Sequence, residues 1–292
     1  MNRLLWVWIF SGLFFFIVSP VMAQTFKSDP DRISLKAETQ YRFKSGIKNS
    51  RTDVSSTRYN ISGSYSYFTL AYEHTHYSWD HANRSEISDA DSTPWTGLHQ
   101  VTLSGRKSFF LSRQWMINAG FSSYSAFEKE LSKSFGGSAD VSFIRIFPNG
   151  WSAGVGAVGL YHPVRSFFLP GIQVSYAPTG ESGFSARLGL PRSQVRYGFN
   201  EKIAAQAYGS LASRVYRLKD NSPVSSKGYY WDRSIKLGLE MELKPLEQMT
   251  INFGPYILVD RKWKLYTRSG KRISTEKLDN TPGVRASVNW RF

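Results

Sequence analysis

The sequence contains no cysteine, so it can form neither disulfide bridges nor a lipid-modified amino-terminal cysteine. Beyond residue 23 it has no apolar run near the roughly 20 residues that a transmembrane helix needs. Acidic residues are also few, because 22 Asp and Glu stand against 37 Lys and Arg, for a net charge of +15. These absences exclude a disulfide-stapled domain, a lipoprotein and a bundle of membrane-spanning helices.

The amino terminus is the one strongly apolar part of the chain. Arg3 precedes a continuous apolar run over residues 4–18, and the small residue Ala23 follows shortly after it. A basic start, a short apolar run and an A-x-A-like site are typical of a cleaved secretory signal peptide. We therefore predict a signal peptide over residues 1–23 and a single mature domain over residues 24–292. A membrane-anchoring helix is the alternative for the first segment.

The rest of the chain is rich in aromatic residues, which make up 15% of it, and in alternation of apolar and polar residues. In residues 33–43 and 283–292 the apolar side chains all fall on one face of an extended strand. Such strands occur in soluble β-sandwiches and in transmembrane barrels, where one face meets lipid and the other meets the lumen. A barrel also explains the low mean hydropathy of -0.35, because only every second residue is apolar.

Counting these segments predicts an all-β fold, a transmembrane antiparallel β-barrel of about fourteen strands, with twelve as the alternative. Short links alternate with longer polar stretches along the chain, as periplasmic turns and outer loops do in outer-membrane barrels. The decisive place is residues 184–199. Pro191 interrupts the alternation there, and because proline cannot donate to a strand ladder, we predict two short strands joined by a hairpin.

The chain ends on Val288, Trp290 and Phe292, which share one face of the last strand. This ending resembles the terminal assembly signal of bacterial outer-membrane β-barrels. The resemblance implies location in the cell outer membrane, contact with outer-membrane lipid and lipopolysaccharide, and recognition by the barrel-assembly machinery. Export also removes nucleic acid from the partners that a strongly basic chain would otherwise suggest. Aromatic residues near the two membrane interfaces are predicted to be Trp115, Trp151, Trp231, Trp263, Trp290 and Phe292.

A second resemblance covers roughly the carboxyl-terminal half. Residues 169–172 (LPGI), 176–178 (YAP), 188–191 (LGLP), 195–197 (VRY) and 230–233 (YWDR) resemble a family of Gram-negative outer-membrane β-barrels that is known as a domain of unknown function. The resemblance implies the barrel fold and the outer-membrane compartment. It implies no functional residues.

The polar faces of the predicted strands place an excess of basic side chains in the lumen. The ten predicted lumen-lining cations are Lys36, Arg42, Arg58, Arg106, Arg187, Arg196, Arg214, Lys236, Arg285 and Arg291. Predicted inward carboxylates are Glu38, Asp140, Glu240 and Glu242. Strands five to seven add small side chains instead, including Gly154 and Gly156, so that one wall is bulky and cationic and the other is small.

This lumen predicts a narrow passive channel for small, preferably anionic solutes, because inward cations concentrate anions. One alternative is a closed structural barrel whose charges pair internally. Another is a surface that contacts lipopolysaccharide phosphates, through Arg268, Lys271, Arg272 and Lys277 in the polar stretch 266–277.

An enzyme is the third alternative. His76 and Ser78 are two positions apart, in a pattern similar to the His-x-Ser pairing of outer-membrane lipid hydrolases. The position after Ser78 departs from that pattern, because Trp79 stands where those enzymes carry an asparagine. The glycines of residues 154–159 fit G-x-G-x-x-G but lie within an alternating strand, where no helix follows to hold a pyrophosphate. We therefore predict no catalytic residue, cofactor or metal site.

Overall fold

We describe a computed structural model of the chain. It covers residues 32–48, 50–82, 87, 92–162, 164–178, 180 and 182–292. The predicted signal peptide lies outside these residues. Within them, no helix is long and apolar enough to cross a membrane.

The described residues form fifteen β-strands, in agreement with the alternating sequence pattern. They are β1 (Ile33–Gly46), β2 (Asp53–Tyr65), β3 (Phe68–Asp80), β4 (Gly97–Phe110), β5 (Trp115–Phe127), β6 (Phe135–Ile146), β7 (Trp151–Tyr161), β8 (Phe167–Tyr176), β9 (Gly183–Gly189), β10 (Arg192–Gly198), β11 (Ile203–Arg217), β12 (Tyr229–Leu246), β13 (Met249–Tyr266), β14 (Arg272–Lys277) and β15 (Thr281–Arg291).

These strands close into a single antiparallel barrel. Each strand pairs with its neighbour in sequence from β1 to β13, and β15 joins β13 to β1, where Val288 pairs with Ala37. β14 pairs only with the end of β13, so β14 and β15 together complete one wall strand. The wall therefore has fourteen strands, and the predicted number is confirmed.

The hairpin β9–β10 keeps the strand number even, because a single strand over residues 184–199 would leave an odd number. Its two strands have seven residues each, with Leu190 and Pro191 between them, as the interrupted alternation predicted. The prediction differs from the structure at residues 266–281, which were expected to be a polar loop. Much of that stretch is β14, which extends the hairpin with β13 beyond the end of β15.

The outward face of the barrel is a continuous apolar belt. Ile61 is 64% exposed, Ile172 70% and Leu239 62%, and all three project away from the lumen. Backbone groups in a bilayer must be satisfied internally, and a closed barrel satisfies them all within the wall. The closed wall and its apolar belt make this protein an outer-membrane β-barrel.

The two ends of the barrel differ. Both ends of the described wall, Ile33 and Phe292, meet at one end, where the Phe292 amide donates to the Ile33 carbonyl at 2.9 Å. We call this the inner end. Longer connections, including residues 218–228, lie at the opposite, outer end, as in other outer-membrane barrels.

At the outer end the barrel is pinched between β5 and β11. Phe127 and Arg217 pair in parallel, and the Glu128 amide donates to the Arg217 carbonyl at 2.8 Å. The Lys219 amide then donates to the Glu128 carboxylate at 2.9 Å. Because β5 and β11 pair directly at the outer end, strands β6 to β10 do not border the outer lumen; we call them the set-aside strands. The outer lumen is enclosed by the remaining nine wall strands.

The set-aside strands fold over the outside of the pinched wall. Leu160 on the inner face of β7 and Phe167 on β8 pack with Leu211 of β11. Between β7 and β8, Val164 packs against Val215 and Trp231. The lumen-facing side of β7 and β8 thus covers the outward side of β11 and β12 near the outer end.

Two of the predicted interfacial tryptophans do not lie on the exposed belt. Trp263 is 0% exposed and points into the lumen, so the prediction for it was wrong. The cause is an irregularity beside Asp260, which has a positive φ of 50° and lies where the pairing of β12 and β13 shifts register. A bulge of this kind reverses which face the following residues occupy. Trp231 points outward but is 3% exposed, because the β7–β8 connection covers it.

Removing Phe292 is expected to impair barrel assembly. Its ring lies 6.4 Å from that of Trp290, and 66% of the residue is exposed to the surroundings, so it contributes little to internal packing. The deletion should reduce the fraction of protein that reaches the outer membrane and shows the heat-dependent gel shift of a folded barrel. Phe110→Ala, at another residue that is 67% exposed, is the control. Equal assembly of both variants would contradict a special role for the terminal residue.

Candidate functional site

The lumen is lined by charged side chains in layers. All ten basic residues predicted to line it lie on the inward faces of their strands, as the alternating exposure shows. Two further inward cations, Arg192 and Arg261, were missed by the sequence analysis. Arg261 lies beyond the bulge at Asp260 and is 3% exposed, and Arg192 was read as part of a turn.

The layer nearest the outer end consists of two buried ion-pair groups. Arg42 Nη1 lies 3.1 Å from Asp232 Oδ2, which joins β1 to β12 across the lumen. Glu73 Oε1 lies 3.3 Å from Arg58 Nε and 3.0 Å from Arg214 Nε. These contacts join β3 to β11, which lie close together only because the barrel is pinched. Strand alternation did not mark Glu73 as inward, because both faces of β3 carry apolar residues. Asp232 of β12 was not among the predicted inward carboxylates.

The next layer is centred on Arg285 of β15. Its Nη2 donates to Glu38 Oε2 at 2.6 Å, and its Nη1 donates to Glu240 Oε1. Lys36 Nζ donates to the same Glu38 oxygen at 2.8 Å, and Lys236 Nζ donates to Gln40 Oε1 at 2.8 Å. These charges hold β1, β12 and β15 together around one side of the lumen.

The wall formed by β4 to β7 carries smaller inward side chains. Arg106 Nη2 lies 2.8 Å from Asp140 Oδ1, and this pair lies over Gly120, where an added Cβ would meet Asp140 Oδ1 at 2.7 Å. Gly154 and Gly156 also face inward, as predicted. Small residues therefore let the charged pair lie flat against the wall and leave room in the lumen beside it.

The inward charges are unequal in number. The twelve cations named above face the carboxylates Glu38, Glu73, Asp140, Asp232, Glu240 and Glu242, which leaves an excess of six positive charges. Individual ion pairs, such as Arg196 with Glu242 at 2.8 Å, neutralise the charges of both partners. They leave the excess of six positive charges unchanged.

An aromatic cluster fills the pinched outer part of the lumen, and we call it the plug. Its buried members are Ile47, Val54, Tyr77, Ile87, Trp95, Leu98, Ala126, Tyr216, Leu218, Tyr230, Trp263, Leu265 and Leu278, with Trp79 packed against them. They come from around the whole pinched wall and from the connection between β3 and β4. The plug therefore has the composition of a hydrophobic core.

Trp95 lies at the centre of the plug. Its ring centroid is 4.2 Å from that of Tyr230, 5.3 Å from Trp79 and 5.5 Å from Trp263. Trp95 is 1% exposed and belongs to the β3–β4 connection rather than to a strand. Its indole N–H has no acceptor among the described residues, so ring packing holds it in place. A residue from a connection thus lies at the centre of the plug.

His76 and Ser78 lie on the outward face of β3, between exposed Tyr72 and the rim. This is the face that a hydrolase of membrane lipid would need. Within the described part of the chain, however, no hydrogen bond joins the two side chains and no carboxylate orients His76. The nearest inward acid, Glu73, lies on the opposite face in its pairs with Arg58 and Arg214.

Near His74, the outward face of β3 and β4 carries a small histidine cluster. The rings of His74 and His99 are 4.6 Å apart, and His99 Nδ1 lies 2.8 Å from the Tyr72 hydroxyl. Among the described residues, no three His, Asp or Glu side chains are placed to hold a metal ion. The cluster is a stack of rings on the lipid side of the wall.

A crevice opens where β7 and β8 overlap the outside of β11 and β12. It is lined by Tyr124, Leu160, Tyr161, His162, Val164, Arg165, Phe167, Val215 and Trp231. Most of these side chains are apolar. Burial lowers the pKa of His162 to about 4, so this ring is neutral at physiological pH, and its Nδ1 accepts a hydrogen bond from the Val164 amide at 3.1 Å.

Comparisons with known proteins agree with the barrel fold. No protein-family profile matches the sequence, and no curated protein matches it. Among solved structures, the KdgM porin in complex with disordered oligogalacturonate is 11% identical, with a TM-score of 0.36, covering 88% of this chain and 99% of that one. The NanC porin is 12% identical, with a TM-score of 0.38 and coverage of 88% and 98%.

An outer-membrane channel from Pseudomonas putida F1 is 7% identical, with a TM-score of 0.47, and covers 94% of this chain and 100% of its own. At these identities the likeness concerns the fold alone. The predicted outer-membrane barrel fold is confirmed by the closed fourteen-strand wall of the structure. The solutes of these channels say nothing about the solute of this chain.

Proposed function

We propose that the protein is a narrow passive channel for small solutes that prefers anions, and that the plug around Trp95 closes its outer end. The observation that carries this proposal is the asymmetry of the lumen. Eight-stranded barrels are filled by their own side chains, whereas sixteen-stranded barrels leave an aqueous channel. We expect fourteen wall strands to enclose more space than side chains fill, because the small residues of β5 to β7 take up little of it.

The plug is the feature that limits passage. At the level of the plug only nine strands enclose the lumen, and below it the wall widens to the full fourteen strands toward the inner end. Trp95 and Ile87 reach the plug from the β3–β4 connection. A connection can be displaced without breaking the ladder of the wall, whereas a strand residue cannot. We therefore expect displacement of Trp95 from the plug to admit solute.

The anion preference follows from the inward excess of six positive charges. A wall of low dielectric focuses this potential into the lumen, so chloride enters more readily than potassium. The preference does not require free cations. It requires only that the net charge of the inward side chains stays positive. A buried ion pair carries no net charge, so pairing leaves the excess unchanged.

A reversal-potential measurement in a planar bilayer with a KCl gradient tests the proposal. Wild type and Trp95→Ala should both show chloride preference wherever they conduct. Lys36→Gln with Arg187→Gln should move the reversal potential toward zero, because two inward charges are lost. Arg42 and Arg285 are less suitable, since they lie in buried pairs that stabilise the wall.

Lys107→Gln is the matched control. Lys107 points outward near the inner end, 4.8 Å above the Tyr67 ring, so its loss should leave selectivity unchanged. Cation preference in the folded wild type would contradict the anion proposal. A folded Trp95→Ala variant without any conductance would contradict the channel itself and favour the closed structural barrel.

A further inference from the structure

On the outward side of the outer end, β12 and β13 carry a cluster of cations. Arg233 pairs in register with Lys262, and Trp231 pairs with Lys264, so the four side chains form a square on one face of the sheet. Lys264 Nζ lies 4.8 Å above the Trp231 ring. Neighbouring side chains of this kind are only about 5 to 7 Å apart.

Two further cations reach the cluster from other elements. Arg165, in the connection that covers β11 and β12, and Arg272, at the start of β14, both lie within electrostatic reach of Lys264, as do Arg233 and Lys262. Among the described neighbours one carboxylate, Asp260, contacts the group, at 2.6 Å from Lys262 Nζ. Five basic side chains thus converge on a small area that holds one acid.

The position of this cluster relative to the apolar belt limits what it can bind. Below it on the same strands, Leu237 and Ile257 are paired and project outward, and they are 45% and 39% exposed. Trp231 lies level with Lys264, and Tyr266 lies one pair closer to the outer rim, with ring centroids 6.2 Å apart. Aromatic residues mark the interface in outer-membrane barrels, so the cations lie at the level of the outer headgroups.

We propose that Arg165, Arg233, Lys262, Lys264 and Arg272 form a binding site for the phosphate groups of a lipopolysaccharide molecule in the outer leaflet. Arg and Lys recognise phosphate through charge-assisted hydrogen bonds. A phosphorylated glycolipid would place its phosphates on the cations and its acyl chains on the belt of β12 and β13. Two phosphates would also offset the mutual repulsion of five clustered cations.

This site differs from the one predicted from the sequence. Arg272 is shared, but Arg165, Arg233, Lys262 and Lys264 come from strands and connections that the sequence analysis did not associate with lipid. The site is also independent of conduction, since it lies on the outer face of the wall. Lipid binding and channel activity can therefore fail separately.

The experiment measures lipopolysaccharide bound to refolded, lipid-free protein by native mass spectrometry. Wild type should bind intact lipopolysaccharide, and Arg233→Gln with Lys264→Gln should weaken this binding about tenfold, since each cation near an anionic surface contributes to attraction. Lys107→Gln with Arg145→Gln is the matched control. Both of these cations point outward near the inner end, where Arg145 lies 5.7 Å from the Trp115 ring.

Binding of dephosphorylated lipopolysaccharide and competition by inorganic phosphate distinguish a lipid site from a general phosphate site. A heat-dependent gel shift confirms that each variant is folded. Loss of binding on dephosphorylation, without competition by millimolar inorganic phosphate, supports a lipid site. Equal binding of intact and dephosphorylated lipid by wild type would overturn the proposal, even if the double variant failed to fold. Full competition by inorganic phosphate would also overturn it, as would equal weakening in the control variant.

Discussion

Trp95→Ala is expected to open the outer end of the barrel to ions. The substitution removes the indole that contacts Tyr230, Trp79 and Trp263, and it leaves a cavity at the centre of the plug. In planar bilayers the variant should show larger and more frequent conductance steps than wild type. Because a buried Trp→Ala change costs about 3–5 kcal/mol, its resistance to urea should also fall.

Trp115→Ala provides the matched control for the opening. Trp115 points outward from β5 near the inner end and is 44% exposed, so its loss leaves the plug intact. Its conductance should equal that of wild type. If folded Trp95→Ala conducted no better than this control, the plug would not be the barrier to passage.

Glu73→Gln is expected to cause the largest loss of stability of any single charge removal in the lumen. Glu73 forms ion pairs with Arg58 at 3.3 Å and with Arg214 at 3.0 Å. It also accepts a hydrogen bond from the Tyr216 hydroxyl at 3.3 Å. Arg58 and Glu73 are also almost completely buried, with side-chain exposures of 7% and 9%. Removing one partner of a buried pair costs about 3–5 kcal/mol, because the remaining charge stays desolvated.

Urea unfolding in lipid vesicles, followed by tryptophan fluorescence, measures this loss. Glu201→Gln, at an exposed position in the turn between β10 and β11, is the control and should unfold like wild type. Glu73→Gln should also loosen the pinch, because its pairs join β3 to β11. A midpoint equal to that of Glu201→Gln would show that the pinch is held by other contacts, such as the pairing of Phe127 with Arg217.

For the hydrolase hypothesis, the structure shows which face of β3 carries His76 and Ser78. Sequence alternation left the outward face of β3 undecided, because Leu70 and Tyr72 competed with residues such as Thr75 and Tyr77. Ion pairing settles the matter, since Glu73 pairs inward with Arg58 and Arg214. His76 and Ser78 therefore face lipid, but they lack a hydrogen bond to each other among the described contacts.

The sequence by itself determined the barrel, its strand number and the direction of most side chains. A strand repeats every two residues, and lipid on one side enforces that repeat along the whole strand. Residues such as Val288 and Arg285 could therefore be given a face without knowledge of their partners. Pro191 marked the short hairpin for the same local reason, because its nitrogen cannot donate to a ladder.

Only the tertiary structure decided what fills the lumen. The bulge at Asp260 turns Trp263 inward, and the meeting of β5 with β11 brings Glu73 to Arg214, 141 positions later in the chain. Neither feature can be predicted from the two-residue repeat of the sequence, because each depends on contacts between strands that are distant in sequence. The same pinch sets β6 to β10 aside and brings Arg165 toward Lys264. The plug and the outer cation cluster are therefore products of how the wall closes, and strand periodicity alone does not encode them.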